Sequence, residues 1–331
     1  MPLDMGKLKD LQFLSDFVLD KDTGKNILEL KELPHLHKRL CISGLHNIVC
    51  QGDALKANIS GMEYLTGLIL KWGDDTDDWG DCKFCLSFPP LGQLPSLVKL
   101  HIKGATVESV DLEFYGCGIK PFRFLNELSF VDMLEWQEWC YDVEEEAEIF
   151  PNLGKLTLQR KFRLLPEGMH TLEKLTIFGC PEFKSFPQSG LPPALVMLKL
   201  DGNEKLLANG RQCGLQRLNS LLTLTIVEIE FSVFPEEGLL PTSLTDLRFS
   251  ECPNLTTLDG KGLRSLDSLQ SLVIFGGPQL QCLPEEGLPN SLSQLIIFRC
   301  PFLERRLQRG KGEDLPKIAH IPDIWLDGKK I

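Results

Sequence analysis

With 331 residues, 43% of them hydrophobic, the chain can bury a sizeable core, which argues against global disorder. A net charge of -11 and a pI near 5.1 argue against a general nucleic-acid binder, which needs a basic surface to displace counterions, and against docking on an anionic membrane. No apolar stretch is long enough to cross a bilayer, and eleven cysteines, an odd number without an export signal, read as reduced thiols of a cytoplasmic protein.

Residues 1–60 read as irregular coils, with a weak strand start at Leu36, Leu40 and Ile42 that would leave unpaired backbone groups at an open edge. From residue 61 one frame, L-x-x-L-x-L, recurs to residue 303. It stands at Leu65-Leu68-Leu70, Leu97-Leu100-Ile102, Leu125-Leu128-Phe130, Leu153-Leu156-Leu158 and Leu172-Leu175-Ile177. It continues at Leu195-Leu198-Leu200, Leu221-Leu224-Ile226, Leu244-Leu247-Phe249, Leu269-Leu272-Ile274 and Leu292-Leu295-Ile297. From Leu153 onward the period is 19 to 26 residues, the range of leucine-rich repeats.

The last two apolar positions of each frame sit two apart, so on a strand both face the same way. No coil can bury them alone; stacked coils share one core. The expected fold is an α/β repeat: a curved leucine-rich-repeat solenoid, residues 1–331 in a single domain. One parallel strand per coil lines its concave face, with irregular loops and short 3-10 turns on the convex face. Cys180, Cys252 and Cys300 recur at one offset after their strands, as small buried residues where the chain turns away. Phe186-Pro187, Phe234-Pro235 and Leu283-Pro284, each followed by a glycine, fit irregular outer loops rather than long helices.

Two stretches interrupt the rhythm. Residues 73–84, with five aspartates around Trp79, and residues 135–148, with Trp136, Trp139 and Glu144-Glu145-Glu146, both read as acidic surface loops. Residues 304–331 read as a C-terminal tail that caps the last coil.

The residue types that carry chemistry do not assemble. Gly24-Lys25 lacks the glycine and hydroxyl spacing of a phosphate loop, and neither a G-x-S-x-G elbow nor an H-E-x-x-H pair occurs. Cys82 and Cys85 have metal-ligand spacing but no second pair, so a metal site is not expected. Glu236-Glu237 and Glu285-Glu286 repeat at equivalent loop positions, which favours solvation over catalysis.

A binding function would therefore use the exposed strand positions. The frame exposes a basic group, Lys71, Lys99, His101 and Lys103, on an otherwise acidic chain. It exposes Phe178, Lys199 and Arg248 along the middle coils, and an apolar patch of Val273, Phe275, Ile296 and Phe298 on the last ones. That patch is either an interface or the surface that the tail, with Ile321, Ile324 and Trp325, folds back to cover. The basic group reads as ordinary solvated lysines.

Several strings resemble one family closely. Met5-Gly6-Lys7-Leu8-Lys9-Asp10-Leu11-Gln12, Pro89-Pro90-Leu91-Gly92-Gln93-Leu94-Pro95-Ser96-Leu97 and Glu113-Phe114-Tyr115-Gly116 look like the repeat region of plant disease-resistance proteins. So do Glu135-Trp136-Gln137-Glu138-Trp139, Gly310-Lys311-Gly312-Glu313-Asp314 and Lys317-Ile318-Ala319-His320-Ile321-Pro322. The resemblance is to the coiled-coil, nucleotide-binding class of the RPP13-like group, and it covers nearly the whole chain. It implies a non-catalytic sensor of pathogen effectors or guarded host proteins that also restrains a nucleotide-binding domain. ADP or ATP would belong to that domain, which this sequence lacks along with the coiled coil, so no cofactor is expected here; the resemblance also allows the basic group to face the acidic surface of a missing domain. Between Trp72 and Cys82 the sequence also lacks repeats usual in the family. Other readings are a leucine-rich-repeat substrate adaptor for ubiquitination, though residues 1–32 hold no evident F-box, an enzyme on a repeat scaffold, and a truncated, non-functional fragment.

Overall fold

Each L-x-x-L-x-L frame carries a strand, because its last two apolar residues can be buried only if the backbone between them is extended. The computed structural model describes the chain except residues 1–4, 20–26, 49–55, 74–87, 117–119, 134, 137, 140–148, 161, 164, 166–168, 188–191, 229 and 309–311. It divides into two units, residues 1–172 and 173–331.

The first unit contains β1 (Asp16–Val18), β2 (Lys38–Ser43), β3 (Leu65–Lys71), β4 (Lys99–Lys103), β5 (Ser109–Val110), β6 (Glu127–Val131), β7 (Glu138–Trp139) and β8 (Lys155–Gln159). β1, β2, β3, β4, β6 and β8 pair in that order, all parallel, while β5 and β7 pair apart from them. The register holds from coil to coil: Leu68, Leu100, Leu128 and Leu156 stand opposite one another, as do Leu70, Ile102, Phe130 and Leu158. All eight are buried. Each contributes roughly 1.5–3 kcal/mol by leaving water.

The second unit contains β9 (Lys174–Phe178), β10 (Met197–Asp201), β11 (Thr223–Val227), β12 (Val233–Phe234), β13 (Asp246–Ser250), β14 (Thr257–Leu258), β15 (Ser271–Phe275), β16 (Gln294–Phe298), β17 (Asp323–Leu326) and β18 (Lys329–Lys330). β9, β10, β11, β13, β15, β16 and β17 form a parallel ladder that β18 closes antiparallel. Helices in both units are short, and brief 3-10 turns stand among irregular loops, as the proline and glycine content predicts.

A left-handed residue ends most strands. Gly104, Asp132, Arg160, Gly179, Gly202, Glu228, Glu251, Gly276 and Arg299 all have positive φ, each two residues past the last inward apolar position. The following position points inward, where Cys180, Cys252 and Cys300 are buried as expected. Asn203 occupies the same place, donating to the carbonyls of Ile177 and Asp201 at 2.9 and 3.0 Å. Asp201 O also accepts from Gly179 N at 2.7 Å, so the side chain adds a second bond where neighbouring coils already pair.

Three expectations need correction. Leu36–Ile42 is not the open edge, because β1 pairs parallel with β2. Leu14-x-x-Phe17-x-Leu19 is a further frame with phenylalanine in its fourth place, and Phe17 and Leu19 are buried. The stretch starting at Glu135 is not a surface loop at its beginning. Trp136 is buried, and β7 pairs with β5. The indole packs against Phe130, Trp139 and Phe162 at ring distances of 4.8, 5.4 and 5.7 Å, because an aromatic ring gains more from the core than from water. Third, the tail does not fold over the last coils. Ile321-x-x-Ile324-x-Leu326 forms another frame, and β17 pairs beside β16 with Ile324 opposite Leu295. The acidic stretch near 73–84 and the pair Cys82 and Cys85 lie almost wholly outside the described residues.

Two family strings have a structural reason. Pro90-Leu91-Gly92 packs under the short helix Leu112–Tyr115, with Gly92 against the Tyr115 carbonyl. In the tail, Asp314 is fully buried and accepts from Leu283 N at 3.0 Å, Arg306 Nε at 3.0 Å and Lys317 Nζ at 3.0 Å. One carboxylate thus ties the last coils together.

Candidate protein-binding surface

The residues that alternate with the buried ones stand on the outer side of the strands and form columns across neighbouring coils. In the first unit one column reads Arg39, Gly67, Lys99, Glu127 and Lys155. The next reads Cys41, Ile69, His101, Ser129 and Thr157, and the third Ser43, Lys71, Lys103 and Val131. Lys71, Lys99, His101 and Lys103 therefore come together on β3 and β4, as the frame predicts. Lys71 and Lys103 stand directly opposite each other.

Lys71, Lys99 and His101 line an open depression of about 760 Å³, whereas Lys103 stands opposite Lys71 outside that lining. Lys38, Arg39 and Lys155 join Lys71 and Lys99 around it, and Glu127 is the one carboxylate on its lining among the described residues. Lys99 Nζ holds Glu127 at 2.7 Å, and that hydrogen bond keeps the Glu127 carboxyl below its usual range. His101 is half-buried. Burial, then the charges of Lys71, Lys103 and Arg39, lower its pKa, so the imidazole is neutral at pH 7. Burial first, and the surrounding cations after it, thus disfavour a further charge in the middle of the surface.

Arg39, Lys155 and Glu127 are absent from the sequence expectation, which takes Lys99 from the first column and follows only the second and third along all the repeats. The first column shows them at the residue before the second inward apolar position. A row of rings was also missed. His37 stacks on Tyr64 with centroids 4.6 Å apart and planes 10° apart, and Phe13 lies 5.9 Å from His37. No sequence frame links residues 13, 37 and 64, since each belongs to the irregular approach to its strand.

The second unit is different. Phe178 is exposed, Lys199 lies 3.7 Å from Asp201, and Arg248 is exposed on β13. Asp201 is nearly buried, and burial raises its carboxyl pKa against the pull of Lys199. Val273, Phe275, Ile296 and Phe298 form one half-exposed patch across β15 and β16. Phe275 and Phe298 stack with centroids 5.1 Å apart, and the Arg299 guanidinium sits 5.3 Å over the first ring and 5.7 Å over the second. Trp325 extends the patch opposite Ile296. On the loop side Glu236, Glu237, Glu285 and Glu286 are exposed, the solvated arrangement their repetition predicts. No described helix is long and apolar enough to cross a membrane.

The family model for R13L1/DRL21 leucine-rich repeats matches residues 27–80. An Arabidopsis thaliana protein named as a disease resistance protein is 32% identical over 238 residues, covering 52% of this chain and 16% of its own length. The A. thaliana disease resistance RPP13-like protein 1 is 26% identical, covering 88% of this chain and 32% of the relative. The Solanum bulbocastanum disease resistance protein RGA1 is 28% identical over 406 residues, covering 98% of this chain and 37% of the relative. The chain thus spans less than two fifths of each of these relatives. Among solved structures, the TLR13-ssRNA13 complex is similar at 18% identity and a TM-score of 0.46, covering 91% of this chain and 48% of that one. A Leptospira interrogans leucine-rich-repeat protein is similar at 17% identity and a TM-score of 0.30, covering 90% of this chain and 92% of its own. By its parallel repeat ladder and by its sequence, this is a leucine-rich-repeat chain similar to plant disease-resistance proteins of the RPP13-like and RGA kinds.

Proposed function

We propose that this chain is a non-catalytic protein-recognition module of plant innate immunity, acting in the cytoplasm. Its targets are pathogen effectors or guarded host proteins. Alongside a nucleotide-binding domain, the same repeats would restrain that domain, which would hold the nucleotide; the repeats themselves take no cofactor in this reading. The observation that carries the proposal is the contrast between the two sides of the strands. Inward positions repeat the same apolar residues coil after coil, whereas outward ones change from cations to hydroxyls to aromatic rings. Inward repetition makes the fold, and outward variation gives an extended surface its specificity. Similarity to disease-resistance proteins along nearly all of the chain supports the biological setting.

The test is co-expression of the full chain in leaf tissue with tagged pathogen effectors and candidate host targets, scored by co-immunoprecipitation. Saturable association with a defined member of the panel, lost when strand-face residues are changed, is the expected result. Association that survives every strand-face change, or is absent across the panel, would contradict it.

A further inference from the structure

Three properties of the first unit's basic depression describe what fits it. The first is a local inversion of charge. The chain carries a net charge of -11, yet Arg39, Lys71, Lys99 and Lys155 surround this surface. The second is a middle position without a side chain of its own. Gly67 stands between Arg39 and Lys99 on neighbouring strands, and the Arg39 side chain leans over it, with Cγ 3.4 Å from where a Cβ would stand. The third is an aromatic shelf at the edge. Phe13 and Tyr64 are 58% and 47% exposed, and Lys38, which also lines the depression, sits 5.1 Å over the Phe13 ring.

We infer that this groove binds an extended acidic segment of a partner protein, with carboxylates about four residues apart and an aromatic side chain beside them. The inference rests on the recognition function proposed above and names the chemistry of the partner. At one end of the groove Lys71, on its lining, faces Lys103, outside that lining, across about 4.8 Å of sheet, close enough to share one carboxylate. Arg39 and Lys99 lie two strands apart, about 10 Å, and can take a second carboxylate over Gly67. From Lys99 to Lys103 the strand runs about 13 Å, the length of four residues of extended peptide. The neutral His101 and Ile69 between the two sites suit the uncharged part of the segment. The partner's aromatic ring has Tyr64 and Phe13 to stack upon.

Single-stranded nucleic acid also favours cations beside rings. Glu127 argues against it here. That carboxylate, held inside the groove by Lys99, repels any anion alike, but it can accept from a peptide N–H, a donor that a phosphodiester does not offer.

The test uses the full chain and fluorescence anisotropy. The probe is a labelled synthetic dodecapeptide with aspartates four residues apart and one phenylalanine; an oligouridylate is its competitor. The expected result is salt-sensitive peptide binding that weakens at least about tenfold in Lys71→Glu/Lys103→Glu and stays intact in Lys199→Glu. The milder pair Lys71→Gln/Lys103→Gln, with native circular dichroism, should weaken it in the same direction. Peptide binding should also raise the His101 titration midpoint measured by NMR, because bound carboxylates favour the imidazolium. No peptide binding, an unchanged double variant, an unmoved His101 titration or preferential binding of oligouridylate would each overturn the inference. If the variants still associate with an effector in leaf tissue, the groove assignment falls and the recognition function stands. If the peptide binds as expected but no defence protein does, the reverse holds.

Discussion

Gly92 packs directly beneath Tyr115, and a side chain at position 92 would overlap the Tyr115 carbonyl oxygen and press on Pro121. The contact joins two strings that are separated in sequence and belong to successive coils. Tyr115 is itself buried against Phe122 and Phe150. Gly92→Ala should therefore destabilise the first unit by about 2 kcal/mol, the usual cost of overpacking against backbone. Urea unfolding would show it as a lower midpoint at unchanged slope. An unchanged midpoint would mean that the loop yields freely.

Trp136 separates a core reading from a surface-loop reading. It is 4% exposed and packs among Phe130, Trp139 and Phe162. Trp136→Ala should cost about 3–5 kcal/mol, as for other buried aromatic truncations. A loss below about 0.5 kcal/mol, typical of a surface substitution, would return the residue to the loop.

Asp314 gives the second unit a dependence on acid. Burial alone would raise its pKa, but hydrogen bonds from Arg306, Leu283 N and Lys317 outweigh burial and leave it lowered. A depressed folded value means that the carboxylate's stabilisation is complete above the unfolded value near 3.8 and disappears as pH falls through the lower folded one. Asp314→Asn should cost about 3 kcal/mol at pH 7, since it leaves cations facing a buried neutral group. The gap between wild type and variant should close in strongly acid solution. A pH-independent gap would show that shape, not charge, holds the tail.

Cys300 tests the inward turn position. Burial pushes its thiol up to about 11, and its sulfur lies 3.5 Å from the Phe298 carbonyl. Iodoacetamide at pH 8 should label it far more slowly than the partly exposed Cys282 in the native chain, and equally in denaturant. Equal rates in the native chain would place Cys300 outside the core.

Most of the ladder was legible because burying Leu68 with Leu70, or Leu247 with Phe249, demands an alternation that no other structure satisfies. The first and last coils were not, because Phe17, Ile321 and Ile324 replace leucine in the frame while doing the same work. The aromatic packing of Trp136 was hidden by the glutamates around it. Of the candidate surface, the cations on β3 and β4 were readable from periodicity. Arg39 and Lys155 needed the strand register, and the row of Phe13, His37 and Tyr64 needed the three-dimensional approach to the strands.

Recognition through the outer side of the strands should show in a glutamate scan in the leaf co-immunoprecipitation assay. It compares Arg39, Lys71, Lys103, Lys155, Phe275 and Phe298 with exposed loop-side residues changed to lysine, such as Glu237 and Glu285. Losses of association should fall on the strand-face set, and the loop-side set should bind as wild type does. Losses confined to the loop-side set, with the strand-face variants unaffected, would contradict it.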